Sequence, residues 1–81
     1  MLEVTFFTKE KCLLCDEAET ILETVQLLHP FQLHKVDIYE DDVLLEKYQL
    51  MIPVIEINET CLTSNDISFE RIEAAIKNNE T

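Results

Sequence analysis

The sequence predicts an α/β domain: a mixed four-stranded sheet with helices on both faces, in the order βαβαββα. Three observations predict it. The hydrophobic period switches repeatedly between about two and about 3.6 residues along the chain. The first strand–helix–strand unit requires a right-handed crossover, and therefore a parallel strand pair. Two later strand-like runs are separated only by Asn58-Glu59, which reads as the turn of a hairpin.

Residues 2–8 alternate, with Leu2, Val4 and Phe6 set against Glu3 and Thr5. Phe7 adds a second apolar face, so this strand is expected to be buried largely on both sides. From Leu14 the period lengthens. Leu14, Ala18, Ile21, Leu22, Val25 and Leu28 fall on one helical stripe, which places Leu14 in the core, and Asp16, Glu19, Thr20 and Glu23 lie opposite. Pro30 ends that helix. Residues 31–38 return to alternation and read as the second strand.

Asp41 and Asp42 suit a helix start, because their carboxylates accept from free backbone N–H groups, and residues 43–48 follow as a short helix. The β-branched run at 52–57 reads as a strand beginning at or just after Pro53. No glycine is available for the next turn, so Asn58 must take any left-handed conformation it requires. Residues 60–63 return as the fourth strand. Ser68 or Asp66 can cap a last helix over residues 69–77, with Ile67 and Ile72 spaced as a hydrophobic staple around a Ser68 cap.

A chain of 81 residues makes one domain, residues 1–81, that buries roughly two-thirds of its unfolded surface. Hydrophobic residues make up 47%, which excludes a disordered tail. No apolar run reaches the ~20 residues of a membrane span. The N-terminus enters alternation directly, without a charged leader and a long apolar stretch. A signal peptide is therefore not expected, and a cytoplasmic location is. Seventeen acids against six bases give a net charge of −11, which disfavours nucleic acid, since phosphate contacts need a basic surface. The charge serves solubility first; its sharper reading is a preference for basic partners. A monomer is expected.

Cys12-Leu13-Leu14-Cys15 carries the chemistry. It lies between the first strand and the first helix, where unpaired backbone N–H groups and a partial positive charge meet the first sulfur. That field favours the thiolate, which is the nucleophile in thiol–disulfide exchange. A zinc site is the competing chemistry. Closed zinc sites need four ligands, and the other soft candidates, Cys61, His29 and His34, form no second paired motif, so no metal is expected. Cys61 reads as an ordinary buried thiol of the fourth strand. Neither histidine has an identifiable catalytic partner.

The element order, Cys-x-x-Cys after the first strand and Ile52-Pro53-Val54 before the third resemble the thioredoxin fold. The match is closer to small glutaredoxins and glutaredoxin-like proteins, and spans nearly the whole chain. Residues 7–15 look like that family's strand, basic residue and cysteines, and residues 48–54 like the segment with its cis-proline. The resemblance implies a thiol–disulfide oxidoreductase in which Cys12 attacks and Cys15 resolves. Position agrees with those roles, since Cys12 sits at the exposed junction and Cys15 one turn deeper. It also implies a cis peptide at Ile52-Pro53, with the Ile52 backbone facing the cysteines and able to pair with an extended substrate.

Lys9 matches a glutathione-contacting basic residue of the family. Lys9 and Lys11 favour a Cys12 thiolate and suit a substrate carboxylate, while Glu10, Asp16 and Glu17 oppose them. Leu13 and Leu14 replace the family's usual Pro-Tyr, and Leu13 is expected to face outward beside Cys12. The family's glycine pair after the fourth strand is replaced by Thr63-Ser64-Asn65-Asp66. Asn65 and Asp66 are the candidates to offer N–H groups there, but their side chains obstruct close approach. The expected partners are a disulfide-containing protein or a small thiol. No bound cofactor is implied, and glutathione is a candidate reductant. The rival class is a non-catalytic thioredoxin-fold module that senses redox state or binds a partner.

Overall fold

Val4, Phe6 and Phe7 are all buried, and their alternation decides how the sheet is layered. The computed structural model describes residues 1–80. Its elements run β1 (Glu3–Thr8), α1 (Leu13–Leu28), β2 (Gln32–Asp37), α2 (Asp42–Tyr48), β3 (Val54–Ile57), β4 (Thr60–Leu62) and α3 (Phe69–Asn78). Short 3-10 turns at Ile38–Glu40 and Ser64–Asp66 precede α2 and α3.

The strand order is β2-β1-β3-β4. β1 and β2 pair in parallel, with Val4 opposite Leu33 and Phe6 opposite Lys35. β3 runs antiparallel to both β1 and β4. β1 is thus central, which explains why it is apolar on both faces. Val4, Phe6, Ile55 and Ile57 pack on one side with Cys15, Ala18, Leu22 and Val25 of α1 and Ile72, Ala75 and Ile76 of α3. Phe7 and Val54 pack on the other with Ile38 and Tyr48, and with Leu44 and Leu45 of α2. The Phe7 and Tyr48 rings stack at 4.5 Å between centroids.

The caps follow the chemistry of the sequence. Asp41 Oδ1 accepts from the Val43 and Leu44 N–H groups at 2.8 and 3.4 Å. Ser68 Oγ accepts from the Arg71 N–H at 3.2 Å, so Ser68 caps α3 and Asp66 does not. Ile67 packs against the cluster that contains Ile72, as a staple requires. Asn58 takes φ 54°, the left-handed conformation a turn without glycine demands, and Lys11 takes φ 55° at the β1–α1 junction.

Leu14 departs from expectation. It is 57% exposed, not part of the core. The buried stripe of α1 runs through Cys15, Ala18, Leu22 and Val25, one residue round the helix from Leu14. Leu14 and Pro53 line one surface notch. Leu28, on the same expected stripe, is also exposed, at the far end of α1.

Core and surface leucines of α1 should separate in urea denaturation. Leu22→Ala removes a fully buried side chain and should cost about 2–5 kcal/mol. Leu27→Ala, at a position 85% exposed, should stay within about 0.5 kcal/mol of the parent.

Candidate active site

Cys12 is the N-cap of α1, with extended backbone at φ −124° and ψ 104°. An N-cap side chain normally supplies an oxygen to the free N–H groups of the first turn. Here sulfur takes that place: Cys12 Sγ accepts from the Cys15 N–H at 3.1 Å. The two sulfurs are joined as a disulfide, with Cα atoms 5.1 Å apart, inside the range that geometry requires. Exposure separates the pair, because Cys15 is 1% exposed and packed in the core while Cys12 is only half-buried.

The Ile52–Pro53 peptide is cis. Pro53 is buried, and the preceding turn is held by N–H donation from Met51 and Ile52 to the Tyr48 carbonyl. The Ser64 N–H donates to the Met51 carbonyl at 3.3 Å, which ties the proline loop to the Ser64–Asp66 turn. Between this loop and α1 lies a notch of about 60 Å3, lined by Leu14, Glu17, Ala18, Ile21, Pro53, Ser64 and Ile67. Leu13 stands outside it, 73% exposed, and faces solvent as expected.

The remaining sequence candidates fall into two other places. Lys9 and Lys11 line an open groove of about 450 Å3 with Asp16 and Glu19 of α1 and Lys35 and Asp37 of β2. Neither Cys12 nor Pro53 lines that groove, so the lysines and the proline flank different sides of α1. Asn65 and Asp66 lie in the 3-10 turn after β4. The Asp66 N–H already donates to the Thr63 carbonyl at 2.8 Å, and the Asp66 carboxylate accepts from the Thr63 hydroxyl at 3.2 Å. Arg71 Nη1 lies 3.6 Å from its other oxygen.

Cys61 is exposed, against the expectation of a buried thiol. β4 is an edge strand, and Leu62 takes its core-facing position, so Cys61 points to the opposite face. On that face α2 packs against Phe7 and Val54. Cys61 pairs across the strands with Glu56. Partial burial of the sulfur, then the Glu56 carboxylate, push the thiol pKa up, with Asp66 adding and Lys47 opposing. His29 caps the end of α1, and its ring bonds the Glu73 carboxylate at 3.1 Å with Glu80 at 3.7 Å. His34 bonds Glu3 at 2.8 Å. Both histidines tie elements together away from the cysteines. Among the described residues no three His, Cys, Asp or Glu side chains converge on a metal position. No helix among them is long and apolar enough to cross a membrane.

Sequence reasoning did not find the notch. Its walls come from three segments, around residues 14–21, 53 and 64–67, and only the hydrophobic flank of α1 hinted at it.

The description Glutaredoxin-like domain (DUF836) fits residues 3–77, nearly the whole chain. The chain belongs to the glutaredoxin-like family. Solved structures agree on the fold. The glutaredoxin-like domain superposes on a structural-genomics target protein, XcR50 from X. campestris, with TM-score 0.78 and 24% identity over 93% of this chain and 96% of that one. Thioredoxin 1 of Thermosipho africanus gives TM-score 0.74 at 15% identity, over 94% and 91%. Thioredoxin-2 of the malaria parasite, a component of its protein secretion machinery, gives 0.70 at 25% identity, over 96% and 82%.

With the Cys12–Cys15 pair oxidised, Cys61 is the free thiol. Its alkylation by iodoacetamide at pH 8 should be slower than that of a free-cysteine peptide, and should catch up only at higher pH. Glu56→Gln should speed it and Lys47→Ala should slow it further. A pH–rate curve matching the peptide would show that neither the burial nor Glu56 acts on the sulfur.

Proposed function

We propose that this glutaredoxin-like domain is a dithiol thiol–disulfide oxidoreductase. The observation that carries the proposal is the Cys12 sulfur at the α1 N-terminus, accepting a backbone N–H, with Cys15 buried one turn behind it. A hydrogen bond to a charged acceptor contributes roughly 1.5–3 kcal/mol, more than the same donor gives a neutral thiol. The helix field adds about 0.3–1 kcal/mol for a negative charge at its first turn. Both favour the Cys12 thiolate.

In the reduced protein the Cys12 thiolate attacks one sulfur of a substrate disulfide. A mixed disulfide forms, and the second substrate sulfur leaves as thiolate and takes a proton from water. Cys15, deprotonated, then attacks the Cys12 sulfur. The protein disulfide closes and the first substrate sulfur is released. Two electrons pass from the dithiol to the substrate. No bound cofactor is needed, and the domain acts as a monomer on a protein disulfide or small thiol partner. An exposed, unpaired Cys61 suits a reducing compartment, which favours the cytoplasm. Lys9 and Lys11 contribute positive potential from the groove side of α1.

Cys12→Ser should abolish exchange, whereas Cys15→Ser should accumulate a mixed disulfide detectable by mass spectrometry. Faster alkylation of Cys15 than of Cys12 in the reduced protein near pH 7 would reverse the roles.

Glutathione should serve this domain poorly. The turn after β4 contains no glycine, and the Asp66 N–H and carboxylate are engaged with Thr63. Leucines stand between the cysteines, with no aromatic ring to pack on the tripeptide. Glu10, Asp16 and Glu17 repel its net negative charge. Reduced glutathione should open the Cys12–Cys15 disulfide slowly, with no slowing on added salt. Rapid opening that salt suppresses would establish an attractive glutathione site.

A further inference from the structure

The open groove between α1 and β2 has a lining of mixed charge. Its volume of about 450 Å3 lies within the roughly 300–1,000 Å3 range of small-molecule sites. Five carboxylates and three lysines line it. Lys35 and Glu19 neutralise each other across 3.1 Å. Among the described residues Lys9 and Lys11 form no ion pair, and neither do Asp16 and Asp37. Free charges of both signs therefore face one groove. Thr8 is the neutral residue of the lining and is 6% exposed. Its hydroxyl has one contact, the Lys9 carbonyl at 3.4 Å, longer than the roughly 2.5–3.0 Å of an O–H···O hydrogen bond. Buried hydroxyls are ordinarily bonded, so this one is left for an occupant of the groove. Asp37 stands opposite Thr8 in the β1–β2 ladder. The Asp16 N–H donates to the Cys12 carbonyl at 3.0 Å and Lys11 directly precedes Cys12, so one end of the groove adjoins the α1 cap.

We propose that this groove holds one half of a small disulfide whose halves each carry an ammonium and a carboxylate, as in cystine. The inference rests on the reading of Cys12 and Cys15 as an exchanging dithiol and names a substrate class for it. The ammonium meets Asp16 and Asp37, with the Thr8 hydroxyl accepting from it, and the carboxylate meets Lys9 and Lys11. Lysines alone would suit an anion, but carboxylates outnumber them here, so the complement is a net-neutral group with both charges. Each half of glutathione disulfide carries a second carboxylate and fits less well. The Cys12 thiolate attacks one sulfur of cystine, the cystine S–S bond breaks, and one cysteine leaves as thiolate and takes a proton from water. The Cys15 thiolate then attacks the Cys12 sulfur and releases the second cysteine. Two electrons pass from the dithiol to cystine, which becomes two cysteines.

The test uses prereduced protein freed of reductant and four small disulfides. Cystine carries both groups on each half, cystamine the ammonium alone, dithiodipropionate the carboxylate alone, and hydroxyethyl disulfide neither. Protein thiols become the Cys12–Cys15 disulfide as each small disulfide becomes two thiols, which are counted by chromatography. Each rate is divided by the rate at which dithiothreitol alone reduces the same compound, which removes differences in intrinsic reactivity.

In about 0.5 M salt, which screens long-range attraction, cystine should react about tenfold faster than each analogue, as loss of one charge-assisted contact implies. Thr8→Val should narrow the cystine-to-dithiodipropionate ratio, and Asp37→Asn should narrow it further. Lys9→Gln with Lys11→Gln should bring the cystine-to-cystamine ratio toward one. Lys47→Gln with Lys77→Gln removes the same charge outside the groove and should leave that ratio alone. Because each ratio is taken within a single variant, a change in overall activity does not affect it. Rates that are equal, or that fall in the order cystamine, cystine, dithiodipropionate whichever groove residue is changed, would overturn the site while leaving dithiol exchange intact. Failure to reduce any of the four would overturn both.

Discussion

The burial of Cys15 is the constraint on which the site depends. Its side chain belongs to the same stripe as Ala18, Leu22 and Val25, and that stripe is pressed onto Val4, Phe6, Ile55 and Ile57 of the sheet. The helix that carries Cys15 begins at Leu13, with Cys12 as its N-cap. Cys12 is then left at the cap, half in solvent, with its sulfur at the Cys15 N–H. Core packing therefore places a sulfur that is not itself in the core. A register shift of one residue in α1 would lose both the packing and the cap.

The same packing sets the surroundings of the pair. β1 is central and apolar on both faces, so helices must cover it from both sides, and each helix end that reaches the carboxyl end of β1 brings side chains toward the cysteines. On one flank of α1 these are charged, from Lys9 to Lys35. On the other they are mostly aliphatic, from Leu14 to Ile67. The two flanks give one dithiol two unlike approaches. The Ser64–Met51 hydrogen bond keeps the aliphatic side in one piece, although its parts are far apart in sequence.

Much of this could be read from residues alone, because the informative signals were local. The switch of period at Leu14, the aspartate before α2 and Asn58 in a turn without glycine each act within a few positions. The structure puts the first helix, the Asp41 cap and a left-handed Asn58 where those signals point. β3 begins just after Pro53, as the sequence indicates, while Phe31 and Ile38 stay outside β2 and Thr63 outside β4. Leu14 and Cys61 depart from expectation because of the faces they take. The buried side of α1 runs through Cys15, Ala18, Leu22 and Val25, which leaves Leu14 at its margin. On the edge strand β4, Leu62 takes the core-facing position and Cys61 the other. Which face a neighbour covers is a tertiary quantity, and no local pattern carries it. The notch, built from three separated segments, was illegible on the same grounds.

The absence of glycine has a consequence for the unfolded chain. Glycine loses more backbone freedom on folding than any other residue, by roughly 0.5–1 kcal/mol relative to alanine. A chain without it begins from a narrower ensemble and has less disorder to surrender. For a domain of this size, with one main core and a smaller cluster behind the sheet, that lowers a dominant opposing term. The counterweight falls on Lys11 and Asn58, which hold left-handed backbone with side chains attached, at a cost on the order of 1–2 kcal/mol each. Lys11 adjoins Cys12, so one of the two strained positions lies directly before the cap of α1.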